Sequence, residues 1–366
     1  MNQSDARHYA RLRYRLLVAD LVASLGVLAA LQGSGVSHHL ARWASGVWTS
    51  EPLVIGGYLI AFGVLDYVAL LPLHFYGSFV LEHRFGLSRL RMSGWLIREL
   101  KHVLLGGALG LLLVEGWYAI LRLAPATWPI WATVGWVGFS VVLARVFPTW
   151  LVPLFYKTRP LDDEALARRL LTLCEQTGLP ALGVFRVGLG AETRKANAAL
   201  AGWGRTRRVL VSDTLLEGFS PDEIETVLAH ELGHHRYRHI TKLLVISGVG
   251  SWLAFWLLKA LSGLWIAPLG LRGVADVAGF PTLMLALSLI GLVGLPIQHA
   301  ISRHFEWQAD RFAVKTAPHP QAFAAALRKL ADLNLADPSP PRWAEWLFYD
   351  HPPITKRIHA AAAATG

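Results

Sequence analysis

The sequence holds a single cysteine, Cys174, among 366 residues. Neither an intrachain disulfide nor a thiolate metal cluster can form within one such chain. Charge is scarce too: only 16% of residues are Asp, Glu, Lys or Arg, where a soluble globule carries about 25%. Hydrophobic residues make up 54% of the chain and include 15 tryptophans. That leaves too little polar surface to cover a soluble body of this size, so the composition reads as that of a membrane protein. The net charge of +10 sits in patches between apolar runs, as topology signals and contacts with anionic membrane lipid do. No aromatic and basic module of the nucleic-acid-binding kind is present, so no nucleic-acid partner is expected. No internal repeat stands out. The first apolar run follows Arg7, Arg11, Arg13 and Arg15 and lacks a small-residue cleavage site, so no cleavable signal is expected.

Long apolar runs are what the chain has in excess. A membrane helix needs about 20 mostly apolar residues, and six runs qualify: 16–32, 53–75, 103–123, 130–152, 240–263 and 280–300. A buried helical core of a soluble protein is the competing reading, which run length and low charge disfavour. A seventh span, hidden within 33–51, stays open. Basic residues alternate between loops. Residues 1–15 carry four Arg, the loop 82–102 carries Arg84, Arg89, Arg91, Arg98 and Lys101, and 156–239 is rich in both types. The loops 33–51 and 264–279 hold only Arg42 and Arg272. The positive-inside rule then places both termini and 156–239 on the cytoplasmic side of an inner membrane. The expected organisation is four spans in 1–155, a cytoplasmic part in 156–239, two spans in 240–300, and a second cytoplasmic part in 301–366.

Within 156–239 the pattern is mixed. "LDDEALARRLLTLCEQTG" (161–178) predicts an amphipathic helix, acidic at its start and closed by Gly178. Short strands are expected at 183–189 and 207–213, with a third at 195–200 joined through "AGWGRT". "SPDEIETVLAHELGHH" opens a helix with Ser220 as cap, Pro221 at the first position and Glu223 closing a capping box. Helices are also expected at 300–316, 319–334 and 351–364. The fold class is therefore mainly α and multi-span, with a small α/β cytoplasmic part.

The capped helix carries His230-Glu231-Leu232-Gly233-His234. Residues four apart project from nearly one helix face. Both imidazoles can therefore bind one Zn²⁺, with Glu231 beside them as a base for water. A solvated helix face is the alternative, but it leaves two histidines in register to coincidence. A catalytic zinc needs a third protein ligand and an open position. Tyr237 and Ile240 stand where an extended motif would place Gly and His. His235 and His239 do not share the face of the first pair, and read as a basic rim before the fifth span. The better third ligand is Glu306 in "SRHFEWQAD", with Asp310 one turn on. There Glu306 binds metal and Asp310 receives a histidine N–H; an exposed acidic pair is the other reading of those two residues.

"HELGH" followed by "SRHFEWQAD" resembles the type I CAAX prenyl endopeptidases and their bacterial relatives, integral-membrane zinc metalloproteases. "YGSFVLEHRFGLS" (76–88), "PLFYKTRPLDDEAL" (153–166), "KANAALAGWGRTRRVLVSDTLLE" (195–217) and "HPPITKRI" (351–358) are similar to that family's other motifs. The likeness covers most of 60–360. It implies six or seven transmembrane helices around a chamber, a zincin-like catalytic domain, and one Zn²⁺ per chain on His230, His234 and Glu306. It implies Glu231 as general base and His351 as oxyanion stabiliser, Arg357 paired with Asp310, and Asn197-Ala198 along the substrate backbone. Without the resemblance, His351 reads as a surface residue at a Pro turn and Arg357 as a helix charge. Asp20, Asp66 and Glu115 fall inside spans, where they line the chamber, pair between helices or snorkel near the helix ends, the last two being the reading favoured for Asp20. The implied partner is a peptide or membrane-associated protein, prenylated or not. The Ala-, Arg- and Leu-rich style reads as bacterial, which makes quality control of membrane proteins the alternative role. A catalytically silent scaffold and a transporter are the competing classes. The intact motif argues against the first, the lack of inverted repeats against the second.

Overall fold

Four of the six apolar runs each lie within one longer helix; the run 130–152 continues past its helix through the π-helical segment Phe147–Leu151, and 240–263 outruns its helix by two residues. The computed structural model describes residues 3–202, 207–319 and 321–365. The span-length helices are α1 (Gln3–Gly33), α3 (Glu51–Phe75), α5 (Met92–Leu123), α6 (Trp128–Val146), α11 (His239–Leu261) and α13 (Phe280–Thr316). Their lipid-length windows are only 6–17% buried, as helices bathed in hydrocarbon require. Between α1 and α3 lies α2 (Val36–Val47), a helix of 12 residues. At 1.5 Å per residue it reaches about 18 Å, against about 30 Å of hydrocarbon. The region 33–51 therefore holds no seventh span, and six is the number among the described residues. Short helices α4 (Leu81–Arg84), α7 (Val152–Phe155) and α12 (Gly263–Ile266) extend or link the spans.

The bundle is closed at one end. There α2 meets the loop that follows α12: Ser37 Oγ donates to Ala278 O at 2.6 Å and shares a hydrogen bond with Tyr58 at 2.7 Å. Tyr58, Phe62, Tyr118, Trp128 and Phe280 fill the space beneath. Phe62 and Phe280 meet edge to face at 5.1 Å, an arrangement aromatic quadrupoles favour. At the other end the helices diverge around a cavity of about 850 Å³. Leu16, Asp20 and Trp95 line it from the membrane part, and Lys195, Ala196 and Asn197 from the soluble part. The membrane helices thus enclose a chamber.

The soluble part is one four-stranded sheet with helices packed on it. The strands are β1 (Thr158–Pro160), β2 (Val184–Val187), β3 (Ala198–Ala201) and β4 (Arg208–Ser212), in the order β1-β2-β4-β3. The β2–β4 pair is parallel and the other two are antiparallel. β4 is the apolar central strand; β3 starts later than its sequence pattern predicts. The sequence gives no sign of β1. It contains Pro160, which cannot donate to a ladder and is tolerated at an edge, and β1 pairs only with β2. The segment 203–206, within the expected "AGWGRT" connection, lies outside the described residues. Helices α8 (Glu164–Gln176), α9 (Asp213–Gly218), α10 (Pro221–Arg236), α14 (Gln321–Asn334), α15 (Arg342–Phe348) and α16 (Ile354–Thr365) complete the fold. Leu170 and Leu173 of α8, Val211 of β4, Leu228 and Leu232 of α10 and Phe323 of α14 form the shared core.

Two contacts lock the halves together. The loop after α4 runs against the loop before β3: Arg89 N donates to Glu192 O at 2.8 Å, and Arg194 N to Leu87 O at 3.0 Å. Arg98 of α5 reaches Glu192 at 3.1 Å. The second contact is α10 against α13. Gly233 allows it: a Cβ there would lie 2.9 Å from Ala309 Cα and 3.2 Å from Phe312 Cβ.

Gly233→Ala tests that contact. Alanine gains about 1 kcal/mol of helix propensity, but overpacking costs about 1–3 kcal/mol. Because the obstacle is a backbone atom that cannot rotate away, the second effect wins. The expected outcome is a lower unfolding temperature of the detergent-solubilised protein; an equal or higher one would show that the helices tolerate the methyl.

Candidate metal centre

The start of α10 is held before its chemistry begins. Ser220 Oγ accepts from Glu223 N at 3.3 Å, and Glu223 Oε2 accepts from Ser220 N at 2.8 Å, the expected capping box. Arg169 of α8 binds both Glu225 and Asp222 at 2.6 Å. Two turns on, His230 and His234 bring their Nε2 atoms to 3.2 Å from each other. α13 supplies Glu306, whose Oε1 lies 3.2 Å from His234 Nε2 and whose Oε2 lies 3.4 Å from His230 Nε2. α13 passes without a break from the sixth span to this residue, and α10 ends just before the fifth. The site therefore sits at the membrane end of the soluble part.

Three observations fit this group to zinc. Two ligands at tetrahedral angles about a zinc with bonds of about 2.05 Å are about 3.3 Å apart; the two imidazole nitrogens are 3.2 Å apart, and each faces a different oxygen of Glu306, His230 facing Oε2 at 3.4 Å and His234 facing Oε1 at 3.2 Å. Glu306 Oε2 is buried without a hydrogen-bond partner among the described residues. The pocket also favours a cation: burial opposes a charge on His230, yet Asp310 and Glu306 outweigh it and push its pKa up to about 9. Three protein donors leave one tetrahedral position open, as catalytic zinc requires.

The structure brings the other candidate residues around this group. His230 Nδ1 lies 2.9 Å from Asp310 Oδ1. Arg357 of α16 grips Asp310 with two hydrogen bonds of 2.8 and 2.6 Å. Both residues are buried, so Glu306–Asp310 is no exposed acidic pair. His351 is half-exposed, with Nε2 3.3 Å from Glu306 Oε1 and Nδ1 2.8 Å from Asp350 Oδ1. Glu231 lies next to His230; burial pushes its carboxyl up, against the pull of His230 and His234. Asn197 is exposed on the chamber wall. Its carbonyl accepts from Ser212 N at 3.0 Å. Backbone groups of alternate residues in an antiparallel strand face opposite ways, so those of Ala198 and Leu200 point away from β4; Leu200 O is taken by His235, and Ala198 lies on the outer edge of β3.

Two residues differ from expectation. His235 is no rim residue: its Nε2 donates to Leu200 O at 2.8 Å and ties α10 to the edge strand. Its pKa is lowered by burial, which keeps the ring neutral for that role. His239 is 1% exposed and lies against His234. Sequence reasoning passed over both because the run "HHRYRH" looks like a basic surface. Of the intramembrane carboxylates, Asp20 lines the chamber, while Glu115 packs close to Gly56 of α3.

Residues 160–365 match the family model described as peptidase family M48, and residues 2–157 match one described as the CAAX prenyl protease N-terminal region with five membrane helices. In this chain that region carries four span-length helices and the short α2. The chain is 31% identical over 307 residues to a CAAX prenyl protease 1 homolog of Oryza sativa subsp. japonica, a match covering 79% of this chain and 69% of the relative. It is 24% identical over 360 residues to an uncharacterized metalloprotease, YhfN, of Bacillus subtilis (strain 168), covering 97% and 84%. The crystal structure of S. mikatae Ste24p shares the fold, with a TM-score of 0.87 at 24% identity, covering 98% of this chain and 88% of that one. Family match, spans and clustered donors agree: this chain belongs to peptidase family M48 and is an integral-membrane metalloprotease.

Proposed function

We propose that the protein is a zinc endopeptidase of the CAAX prenyl protease type, cleaving extended peptide segments at the cytoplasmic face of the membrane. The observation that carries this reading is the set of zinc-like separations among His230, His234 and Glu306, beside an unpaired strand edge that opens on the chamber. The substrate backbone adds to β3 through the N–H and C=O of Ala198, with Asn197 next to it, as peptides do at sheet edges. Zinc bound by the three residues supplies Lewis acidity, acidifying a water and polarising the scissile carbonyl. Glu231, its carboxylate basicity raised by burial, takes the proton from water and passes it to the leaving amine. His351, oriented by Asp350, donates to the oxygen on which charge develops. Asp310 holds His230, and Arg357 holds Asp310.

The substrate class follows from access. The candidate substrate strand meets the chamber at Asn197, so in this reading a substrate threads in as an extended chain. Short, unfolded or lipid-anchored peptides can do so, and folded domains cannot. The relatives named CAAX prenyl protease 1 and its homolog support a prenylated C-terminal peptide as one such substrate.

Glu231→Gln is expected to retain one zinc per chain by elemental analysis while losing hydrolysis by about two orders of magnitude or more, because an amide cannot accept the proton. Glu306→Ala is expected to lose the zinc. Full occupancy in that variant, or near-normal turnover in the first, refutes these roles.

Substrate access is checked by offering the enzyme, in detergent, a farnesylated CAAX peptide, its unmodified twin, and a folded protein bearing the same tail. Cleavage of the farnesylated peptide is expected. Cutting inside the folded domain with neither peptide touched contradicts the enclosed site.

Orientation is read by cysteine labelling in a background with Cys174 replaced by serine. Introduced cysteines in α8 are expected to react from the cytoplasmic side, and those at 264–279 from the outside; the reverse overturns the assignment.

A further inference from the structure

We infer that His239 is the positioning residue of the metal site: it fixes the tautomer and direction of His234, and is itself fixed by Gln308 and His304. The inference rests on His234 serving as a metal ligand.

The two rings meet nitrogen to nitrogen, His234 Nδ1 to His239 Nδ1, at 3.0 Å. One of these atoms must carry the hydrogen and the other must accept it. From His239 the contacts continue outward. Its Nε2 lies 2.9 Å from Gln308 Oε1, and Gln308 Nε2 lies 2.9 Å from Nε2 of the exposed His304. A carbonyl oxygen only accepts, so His239 Nε2 bears a hydrogen. Neutral His239 then has a bare Nδ1, which accepts from His234 Nδ1–H. That leaves the lone pair of His234 Nε2 free, on the atom that faces His230 and Glu306. The opposite assignment puts the hydrogen on His234 Nε2, where it blocks the ligand lone pair. Each outer contact thus selects the metal-competent form of the inner ring. Histidine ligands usually donate their second N–H to an oxygen. His230 faces such a partner in Asp310, whereas the partner of His234 is an imidazole held by an amide.

The ring of His239 is also held against rotation. It stacks on Phe305 at 4.4 Å with planes 7° apart, and Tyr237 lies on it at 5.8 Å. Phe305 immediately precedes the ligand Glu306. On an unbroken helix, residues 234 and 239 would point about 140° apart. Arg238 breaks the helix: it adopts φ 55 between α10 and α11, a left-handed conformation costing a non-glycine residue about 1–2 kcal/mol. That turn swings residue 239 back beneath His234. A strained backbone at this point is accounted for by the contact it creates.

The test is zinc affinity, measured by chelator competition on the full-length protein in detergent, together with the absorption spectrum of the Co²⁺-loaded protein. Three variants are compared. His239→Phe keeps the stack on Phe305 but removes the acceptor. His239→Asn loses the stack but keeps an oxygen near the place of Nδ1. Gln308→Met touches no ligand and removes only the outer acceptor. His239→Phe is expected to weaken zinc binding about 10- to 100-fold, as loss of a ligand's partner does, and to shift the cobalt spectrum. His239→Asn is expected to recover most of that loss, and Gln308→Met to weaken binding by a smaller factor. Unaltered affinity in His239→Phe, or equal losses in Phe and Asn, overturns the inference and leaves His239 a packing residue. Should the Phe variant not fold, unaltered affinity in Gln308→Met has the same consequence. A wild-type protein that binds no zinc instead fails the metal reading itself.

Discussion

The contact between α10 and α13 is the constraint on which the site depends. No single element carries all three metal donors: two come from one helix and the third from another that is also a membrane span. Their side chains are short, so the helix axes must approach closely for the donors to meet. The missing side chain at Gly233 and the small one at Ala309 permit that approach. The glycine lies between the two histidines in sequence, so the place of tightest packing and the place of the chemistry coincide. The helix that carries Glu306 cannot shift without moving the sixth span, and the helix that carries the histidines cannot shift without moving the fifth.

The second constraint is electrostatic. Glu306 and Asp310 lie one turn apart on α13, both buried, and neither carboxylate is tolerable there alone. Arg357 offsets Asp310 through a two-pronged contact, and removing one partner of such a pair leaves a buried charge costing about 3–5 kcal/mol. The remaining carboxylate, Glu306, faces three imidazoles, those of His230, His234 and His351, and lies 3.7 Å from Arg357. Its Oε2 makes no hydrogen bond among the described residues, and a bound cation would supply that oxygen with a partner. Arg357 comes from the last helix of the chain, so the ordering of α16 is tied to the same charge balance.

Much of this was legible in the sequence because it rests on short-range rules. Span lengths, the capping box at Ser220 and the histidine pair four residues apart all depend on helical geometry alone. What was not legible depends on breaks in that geometry. His239 looked misplaced because an unbroken helix was assumed, and no residue type near Arg238 announces a left-handed turn; a glycine there would have. β1 was hidden by Pro160, which argues against a strand except at an edge. The burial of Glu306 and Asp310 is a tertiary fact that a spacing of four residues cannot distinguish from a solvated pair. His351 and Arg357, separated from the motif by more than a hundred residues, were reached only through family resemblance, since nothing local to either residue indicates a site.

The closed end of the bundle completes the functional argument. A soluble metalloprotease meets its substrate in an open cleft, where any exposed loop can enter. Here the first, second and third spans form the wall of the chamber with the segment before β3, and the aromatic cluster around Tyr58 and Phe280 fills the bundle at its other end. Under the proposed function selection is steric: a chain must already be extended, or be led in along the membrane, before any residue of the site can act on it. Specificity in such an arrangement begins with the path to the site, and side-chain contacts near the scissile bond refine it.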